Sequence, residues 1–321
     1  MKLFIVGDFL GSTGPAVVNK TLLKEDSSIL YSSSKSKLGR IFELIIKIYM
    51  CDFVVFSGLS KIDLLGFRVA KLLKKKSAYL MHGYSKVESY IEGNISTDWL
   101  ELEEKVLKRA PLIICVSKRF MEFLKKDNEN LKDNLRYIMN PIDTKKFENN
   151  SEKYRDNNLI MSVGGGSPRK NILKICEAIN YINLNQGKDY KLIVIGKENK
   201  DTENIKKYKF VEYIENVPYE YMQEYYLKSK LYIQNSLFEP FGLATIEALF
   251  SGCNILISQN VGCRDIFTEI EDNSLIYDTN DISELVEKIN FNMNNDNNSF
   301  LKSKIELPKD LINRIKEIIS E

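Results

Sequence analysis

Apolar and polar residues follow two alternating periods along this chain. LFIVG, at residues 3–7, is a short apolar run closed by a polar loop, DFLGSTGP, and the segment VVNKTLLKE after it spaces its apolar positions as a helix does. The rhythm then repeats. CDFVVFSG, SAYLMHG, PLIICVS and LRYIM have the length and apolar content of buried strands, and LGFRVAKLLKKK and DWLELEEKVLKRA between them have helical spacing. Strands that alternate with helices predict a parallel sheet with right-handed crossovers. At Asn140, Pro141, Ile142 and Asp143 the rhythm stops, and a polar stretch rich in Asn, Lys and Glu runs to about Asn158, where an interdomain linker is expected. A second series follows: the strand LIMSVGGG, the helix NILKICEAINYI, the strands KLIVIG and KFVEYI, the helix YEYMQEYYLKS, the strand LYIQNS, the helix ATIEALFSG and the strand NILIS. This pattern predicts a second doubly wound domain. NFNMNNDNNS reads as an Asn-rich, low-complexity loop, and DLINRIKEIIS after it as a terminal helix. The expected layout is α/β. An N-terminal Rossmann-like domain spans 1–145 and a C-terminal one 146–304, a ligand cleft lies between them, and a terminal helix, 305–321, packs back on the first domain.

At 321 residues the chain exceeds what one core organises, and an apolar share of 44% suffices to build two. Five cysteines, Cys51, Cys115, Cys176, Cys253 and Cys263, are an odd number with no C-x-x-C pair, which signals neither a disulfide framework nor a zinc site and points to the cytoplasm. With one histidine and no D-x-D triplet the usual metal site cannot be assembled, so no metal and no cofactor are expected. The apolar run after Lys2 stops at Gly7 and Asp8, too brief for a signal peptide, and no later run reaches membrane-spanning length without a charge.

The net charge of +2 conceals an asymmetry: residues 1–150 hold 25 Lys+Arg and 18 Asp+Glu, which leaves 21 and 26 for the remainder, so the halves carry +7 and −5. In the basic half, SKSKLGRIFELIIKIYM and VAKLLKKK mix cations with apolar residues. These are either solvated helix faces or a peripheral contact with the anionic inner face of a cell membrane. Aromatic residues are not interleaved with the cations in any nucleic-acid module, so no nucleic acid is expected as a partner.

Candidate chemistry concentrates in NSLFEPFGLATIEALFSGC, residues 235–253. Glu239 is expected on a loop after a strand, and Glu247 in a helix opened by Gly242, Leu243 and Ala244. A helix start offers unpaired N–H groups and the positive end of a dipole, which suits a phosphate, and Gly242 lets the backbone approach it closely. Glu247 could then accept from ribose hydroxyls and Glu239 from sugar hydroxyls. VGGGSPRKN, residues 163–171, adds a glycine-rich turn with Arg169 and Lys170 at the next helix start. Cations placed there stabilise the charge that develops on a departing diphosphate.

The run E-P-F-G-L-x-x-x-E-A followed by S-G-C resembles the E-x7-E signature of retaining GT-B glycosyltransferases, in particular family 4. The resemblance covers nearly the whole chain, with specific motifs dense from about Asn140 to Arg264. It implies that Glu239 contacts the donor sugar, that Glu247 holds the ribose, and that the Gly242, Leu243 and Ala244 amides bind the diphosphate. It also implies a phosphate-binding loop in which an Arg follows the first Gly and a Lys comes five positions later. Lys170 matches that Lys. Gly165 stands where the Arg is expected, and Arg169 is the residue placed to supply its charge.

Further positions follow from the same resemblance. His82, the single histidine, lies in LMHGY directly after a strand, where similar enzymes place a histidine facing the donor sugar; a histidine at a strand end is otherwise structural. Gly11, Ser12, Thr13 and Gly14 match the acceptor-side loop of similar enzymes, with a plain tight turn as the equal alternative. Ser117 and Asn140 match recurring structural positions, and Val217 opens a stretch, VPYEYM, that resembles the one meeting the nucleotide base. The activity implied is transfer of a sugar from a nucleotide diphosphate sugar, UDP favoured, to a glycan, lipid-linked or protein-linked acceptor with retention of anomeric configuration, as in bacterial polysaccharide biosynthesis. A sugar-nucleotide epimerase and a non-catalytic homologue are the alternatives.

Overall fold

In the computed structural model, which describes residues 2–34, 36–148 and 155–320, the chain divides into two compact units. The first takes Met1–Ser89, Ile95–Ile142 and Leu307–Glu321, and the second Tyr90–Asn94 and Asp143–Glu306. Part of the expected linker, residues 149–154, lies outside the described residues. Of the remainder, Thr144–Lys146 is a single 3-10 turn, and a strand already begins at Asp156.

Six parallel strands build the first unit: β1 (Leu3–Val6), β2 (Leu30–Tyr31), β3 (Phe53–Ser57), β4 (Lys76–Met81), β5 (Ile113–Cys115) and β6 (Leu135–Tyr137), in the order β2-β1-β3-β4-β5-β6. Helices cover both faces of such a sheet, which is why β1 and β3 are apolar and buried at nearly every position rather than alternating. The sheet runs outward from β1 to β2 and then restarts at β3, so its direction switches between β1 and β3. The last helix, Leu311–Ser320, belongs to this unit, and its buried side Leu311, Ile312, Ile315 and Ile319 packs against β4 and the helix Gly14–Glu25.

The second unit repeats the plan with β7 (Asp156–Val163), β8 (Lys191–Ile195), β9 (Val211–Ile214), β10 (Ser229–Gln234), β11 (Asn254–Ser258) and β12 (Leu275–Ile276), ordered β12-β11-β10-β7-β8-β9. Its direction switches between β7 and β10. The core is aliphatic: Ile175, Ile179 and Ile182 of the helix Ile172–Gln186 meet Leu192, Val194, Leu231 and Ile233 from the sheet. Both sheets are wholly parallel, as the alternation of strand and helix predicts.

The Asn-rich segment departs from expectation. It is not a loop: a helix, Ile282–Asn294, runs through its first half, and a second, Asn298–Ser303, starts in its second half. Polar composition there reflects inward hydrogen bonding instead of solvation. Asn297 is buried; its side-chain amide donates to Ile255 O at 2.8 Å and Asn292 Oδ1 at 2.7 Å, while its Oδ1 accepts from Ile255 N at 3.0 Å. Asn298 donates to Leu249 O and Cys253 O, both at 2.7 Å. An amide that both gives and accepts can satisfy the buried backbone of an edge in a way few side chains can.

Candidate active site

Ligands of open parallel sheets bind beyond the carboxyl ends of the strands where the direction switches. In the second unit those ends lead into two loops, Gly164–Lys170 after β7 and Asn235–Gly242 after β10, and these loops hold Gly165, Arg169, Lys170, Glu239 and Gly242 of the residues singled out from the sequence. The loops are tied together by Leu237 N, which donates to Arg169 O at 2.9 Å.

Gly165 carries φ +59°, and a Cβ built on it would lie 2.2 Å from Lys197 O and 2.5 Å from Gly196 C. No side chain fits there, so the cation expected at this position cannot stand on it. One turn further, Pro168–Lys170 form a single 3-10 turn that carries both cations, Arg169 and Lys170. The Lys170 stem crosses Gly164, where a Cβ would come within 2.3 Å of Lys170 Cγ. Lys170 Nζ donates to Glu239 Oε2. Arg169 Nη1 donates to Phe238 O at 2.9 Å and lies 3.4 Å from the same carboxylate oxygen, which also accepts from Gln234 Nε2 at 3.1 Å. Burial alone would raise the Glu239 pKa, but the charges of Lys170 and Arg169 outweigh it and hold the carboxyl below its usual range.

Beyond Glu239 the backbone turns at Gly242, whose φ of +97° and close approach to Val261 Cγ1, 2.8 Å from a built Cβ, require glycine. The helix Leu243–Phe250 starts here, and its first amides, Leu243 and Ala244, precede any intrahelical partner. A half-buried carboxylate with two cations therefore stands beside a helix start. Glu247 sits in the second turn of that helix, buried, with both oxygens occupied. Oε1 accepts from the Tyr219 hydroxyl at 2.8 Å and Oε2 from the Tyr226 hydroxyl at 3.0 Å. Burial raises the Glu247 pKa against those two bonds and the Lys146 charge. Lys146 Nζ lies 3.6 Å from the centroid of the Tyr219 ring and donates to Tyr219 O at 3.1 Å. Val217, half-buried, is two residues before Tyr219, so the VPYEYM stretch adjoins Glu247. Tyr219, Tyr226, Lys146 and Gln234 were not legible as site residues. The two tyrosines have as their only sequence signal the tyrosine-rich run itself, which reads equally well as a helix face, and Lys146 and Gln234 have none.

The remaining candidates lie in the first unit, near the switch between β1 and β3. Asn19 Nδ2 donates to Asp8 O at 2.9 Å, which orients its Oδ1 to accept from Ser57 Oγ at 2.6 Å. With its proton so directed, Ser57 Oγ, 2.8 Å from His82 Nε2, can only accept from it. Nε2 of His82 accordingly carries a proton, and in the neutral ring favoured by burial the Nδ1 lone pair is left as an acceptor. Desolvation lowers its pKa from 6.5 to about 4, in agreement with the neutral form. The same Asp8 accepts from Leu10 N and Gly11 N, both at 2.9 Å, and Lys20 Nζ donates to Gly11 O at 2.7 Å. Thr13 caps the helix Gly14–Glu25. The loop Gly11, Ser12, Thr13, Gly14 and His82 thus share one hydrogen-bonded chain through Asp8, Asn19 and Ser57, three residues that sequence reasoning passed over. Ser117 Oγ caps the helix Lys118–Asp127 by accepting from Phe120 N at 3.1 Å, and Asn140 is buried. Among the described residues, no group of three or more His, Cys, Asp or Glu is arranged to hold a metal, and no helix is long and apolar enough to cross a membrane.

Two doubly wound parallel units of this kind define the GT-B class of glycosyltransferase folds. Solved structures agree. Anabaena Alr3699/HepE in complex with UDP and glucose matches 100% of this chain and 99% of its own with a TM-score of 0.73 at 14% identity. Sucrose-phosphate synthase from Thermosynechococcus elongatus matches over 99% and 95% with a TM-score of 0.66 at 14% identity. The lipopolysaccharide outer core galactosyltransferase WaaB in its apo form matches over 100% and 99% with a TM-score of 0.64 at 17% identity. At such identities the likeness speaks for the fold. Sequence adds the family: the model of glycosyl transferases group 1 matches residues 143–317, more than half of the chain, and the protein belongs to that family. No curated protein matches it by sequence.

Proposed function

We propose that this protein transfers a glycosyl group from a nucleotide diphosphate sugar to a glycan, lipid-linked or protein-linked acceptor hydroxyl, with retention at the anomeric carbon and without a metal. The observation that carries the reading is the ionised Glu239 held between Lys170 and Arg169 beside the start of the helix Leu243–Phe250. In the reaction the bond from the anomeric carbon to the β-phosphate oxygen breaks and one to the acceptor oxygen forms, while the acceptor proton passes to the departing diphosphate. Lys170, Arg169 and the Gly242, Leu243 and Ala244 amides neutralise the diphosphate as its charge grows. Glu239 fixes the two cations and offers its second oxygen to sugar hydroxyls. Glu247 receives the ribose, with Tyr219 and Tyr226 holding its carboxylate in place, and Val217 adjoins the base. The neutral His82 offers Nδ1 to a substrate hydroxyl, and Gly11, Ser12, Thr13 and Gly14 form the acceptor-side loop. UDP is the favoured nucleotide because the Anabaena neighbour holds UDP and glucose. A bacterial polysaccharide pathway supplies acceptors of the required kind.

A thermal-shift panel of UDP, GDP, ADP and their sugar conjugates tests the reading directly. A ligand bound to the folded state alone stabilises it by about 2.7 kcal/mol at 100 times its dissociation constant, well within detection. UDP and UDP-sugars should shift wild type and leave Glu247→Gln unmoved, with turnover unchanged by EDTA. Lys170→Ala should retain the fold and lose on the order of 100-fold in turnover. If no nucleotide shifts the wild type, the non-catalytic reading takes over; conversion of the donor with no acceptor present would make it an epimerase.

A further inference from the structure

We propose that the first unit docks on an anionic membrane surface through the helix Lys37–Met50 and a cationic cavity at the amino-terminal edge of its sheet. The inference is independent of the transferase reading. An amphipathic helix ordinarily has one apolar stripe, turned to the core. In this helix the apolar arc reaches well past the buried part. Leu44 and Ile48 are buried, while Leu38, Phe42, Ile45, Ile46, Tyr49 and Met50 continue it into solvent as a stripe at positions that recur every three to four residues, with Leu38 72%, Phe42 66% and Tyr49 70% exposed. Its one acid, Glu43, is turned away from that stripe: it accepts from Lys47 Nζ at 2.6 Å and from Ser33 N and Ser34 N at 2.9 and 3.0 Å. A continuous apolar stripe of this length in water calls for a cover.

Charge identifies the cover. The helix ends at Met50, two residues before β3, and Phe53 at the start of β3 pairs in register with Lys76 at the start of β4. At that edge lies a cavity of about 650 Å³ with six cations in its wall, Lys71, Lys74, Lys75, Lys76, Arg109 and Arg136, against one acid, Asp133. Lys76 donates to Ser320 O, and Arg136 Nη1 to Leu135 O at 3.0 Å. Lys71, Lys74, Lys75 and Arg109 pair with no carboxylate among the described residues. Leu72 beside them is 81% exposed. Exposed apolar side chains and unpaired cations carried by the same unit match a layer that is anionic at its surface and hydrocarbon below. A second copy of the chain would bring like charges together, and a nucleic acid would leave the aliphatic stripe in water.

Co-sedimentation with vesicles of phosphatidylcholine alone and of phosphatidylcholine with phosphatidylglycerol decides the matter. The full chain should pellet with the anionic vesicles at low salt, weaken as salt rises, and stay in solution with the neutral ones. Phe42→Glu/Ile46→Glu and Lys71→Glu/Lys74→Glu should each lower the bound fraction by about tenfold or more. All four positions are exposed, and far-ultraviolet circular dichroism confirms that the variants fold. The proposal is overturned if the protein ignores anionic vesicles at low salt, if it binds neutral ones equally well, or if sedimentation equilibrium shows a dimer that Phe42→Glu/Ile46→Glu dissolves.

Discussion

Gly165 decides which cation can serve the candidate site. The family pattern expects an Arg at that position, and its absence by itself would favour a protein that binds without turning over. The local geometry supplies a different reason: with φ +59° and the Gly196–Lys197 backbone across the Cβ direction, no side chain can be carried there. Arg169, 3.4 Å from Glu239, is the residue we propose to supply that charge from another backbone origin. Installing the family residue should therefore do harm. Gly165→Arg is expected to cost at least about 2 kcal/mol, from the left-handed conformation and the backbone contact together, and to lower turnover. Arg169→Gln should keep the wild-type urea midpoint and lose turnover. A Gly165→Arg variant as stable as wild type and more active would refute the argument. Glu239, Glu247, Lys170 and Arg169 could be picked out because each pair lies within one short run of sequence, 235–253 and 163–171. The link between positions 170 and 239 was not legible, because it depends on β7 and β10 being neighbours, and strand order is not written in periodicity. For the same reason Asp8, Asn19 and Ser57 escaped notice. Each is an ordinary polar residue until the sheet aligns it toward His82.

Among the elements, long periodic runs were legible and short or unusually satisfied ones were not. β2 and β12 have two residues each, too few for any period to show. The helices at Ile282–Asn294 and Asn298–Ser303 were hidden by composition, since asparagine in quantity ordinarily marks solvent and here marks buried backbone that needs both a donor and an acceptor. The helix Lys61–Leu72 contains a similar inversion, a buried carboxyl in its first turn. Asp63 Oδ2 accepts from Ser60 N at 2.7 Å, and burial, opposed by that bond and by Arg40, pushes its pKa up to about 8. With the folded value above the unfolded 3.8, the folded state keeps its proton longer, so this group's contribution to stability is complete below about pH 4 and is lost as pH rises to about 8. Asp63→Asn keeps an acceptor for Ser60 N and has no proton to lose. Urea titrations of both proteins across that window should show the variant gaining on wild type by about 2 kcal/mol or more. Parallel curves would mean that Asp63 is ionised throughout. His82 acts in the opposite sense: its folded value of about 4 lies below 6.5, so its contribution is lost as pH falls through that interval.

On the scale of the whole molecule, the succession of strands and helices was sufficient to anticipate two doubly wound sheets, and each has its own core. The path of the chain is less regular, because residues 307–321 return to the first unit after the second is complete. Leu311, Ile312, Ile315 and Ile319 recur at helical spacing, which exposes an apolar stripe but does not name its partner; β4 and the helix Gly14–Glu25 supply it. Stability and ligand affinity should consequently part company in this segment. Ile315 is buried in the first unit, whereas Lys170, Glu239 and Glu247 are in the second. Truncating a buried isoleucine removes its transfer free energy and leaves a cavity, about 2–5 kcal/mol in all. Ile315→Ala should lower the denaturation midpoint by a corresponding amount, while titration calorimetry well below that midpoint returns the wild-type dissociation constant for UDP. Loss of affinity in a variant still folded at the temperature of the titration would mean that the terminal helix does more than complete the first core, and that nucleotide binding draws on residues outside the second unit.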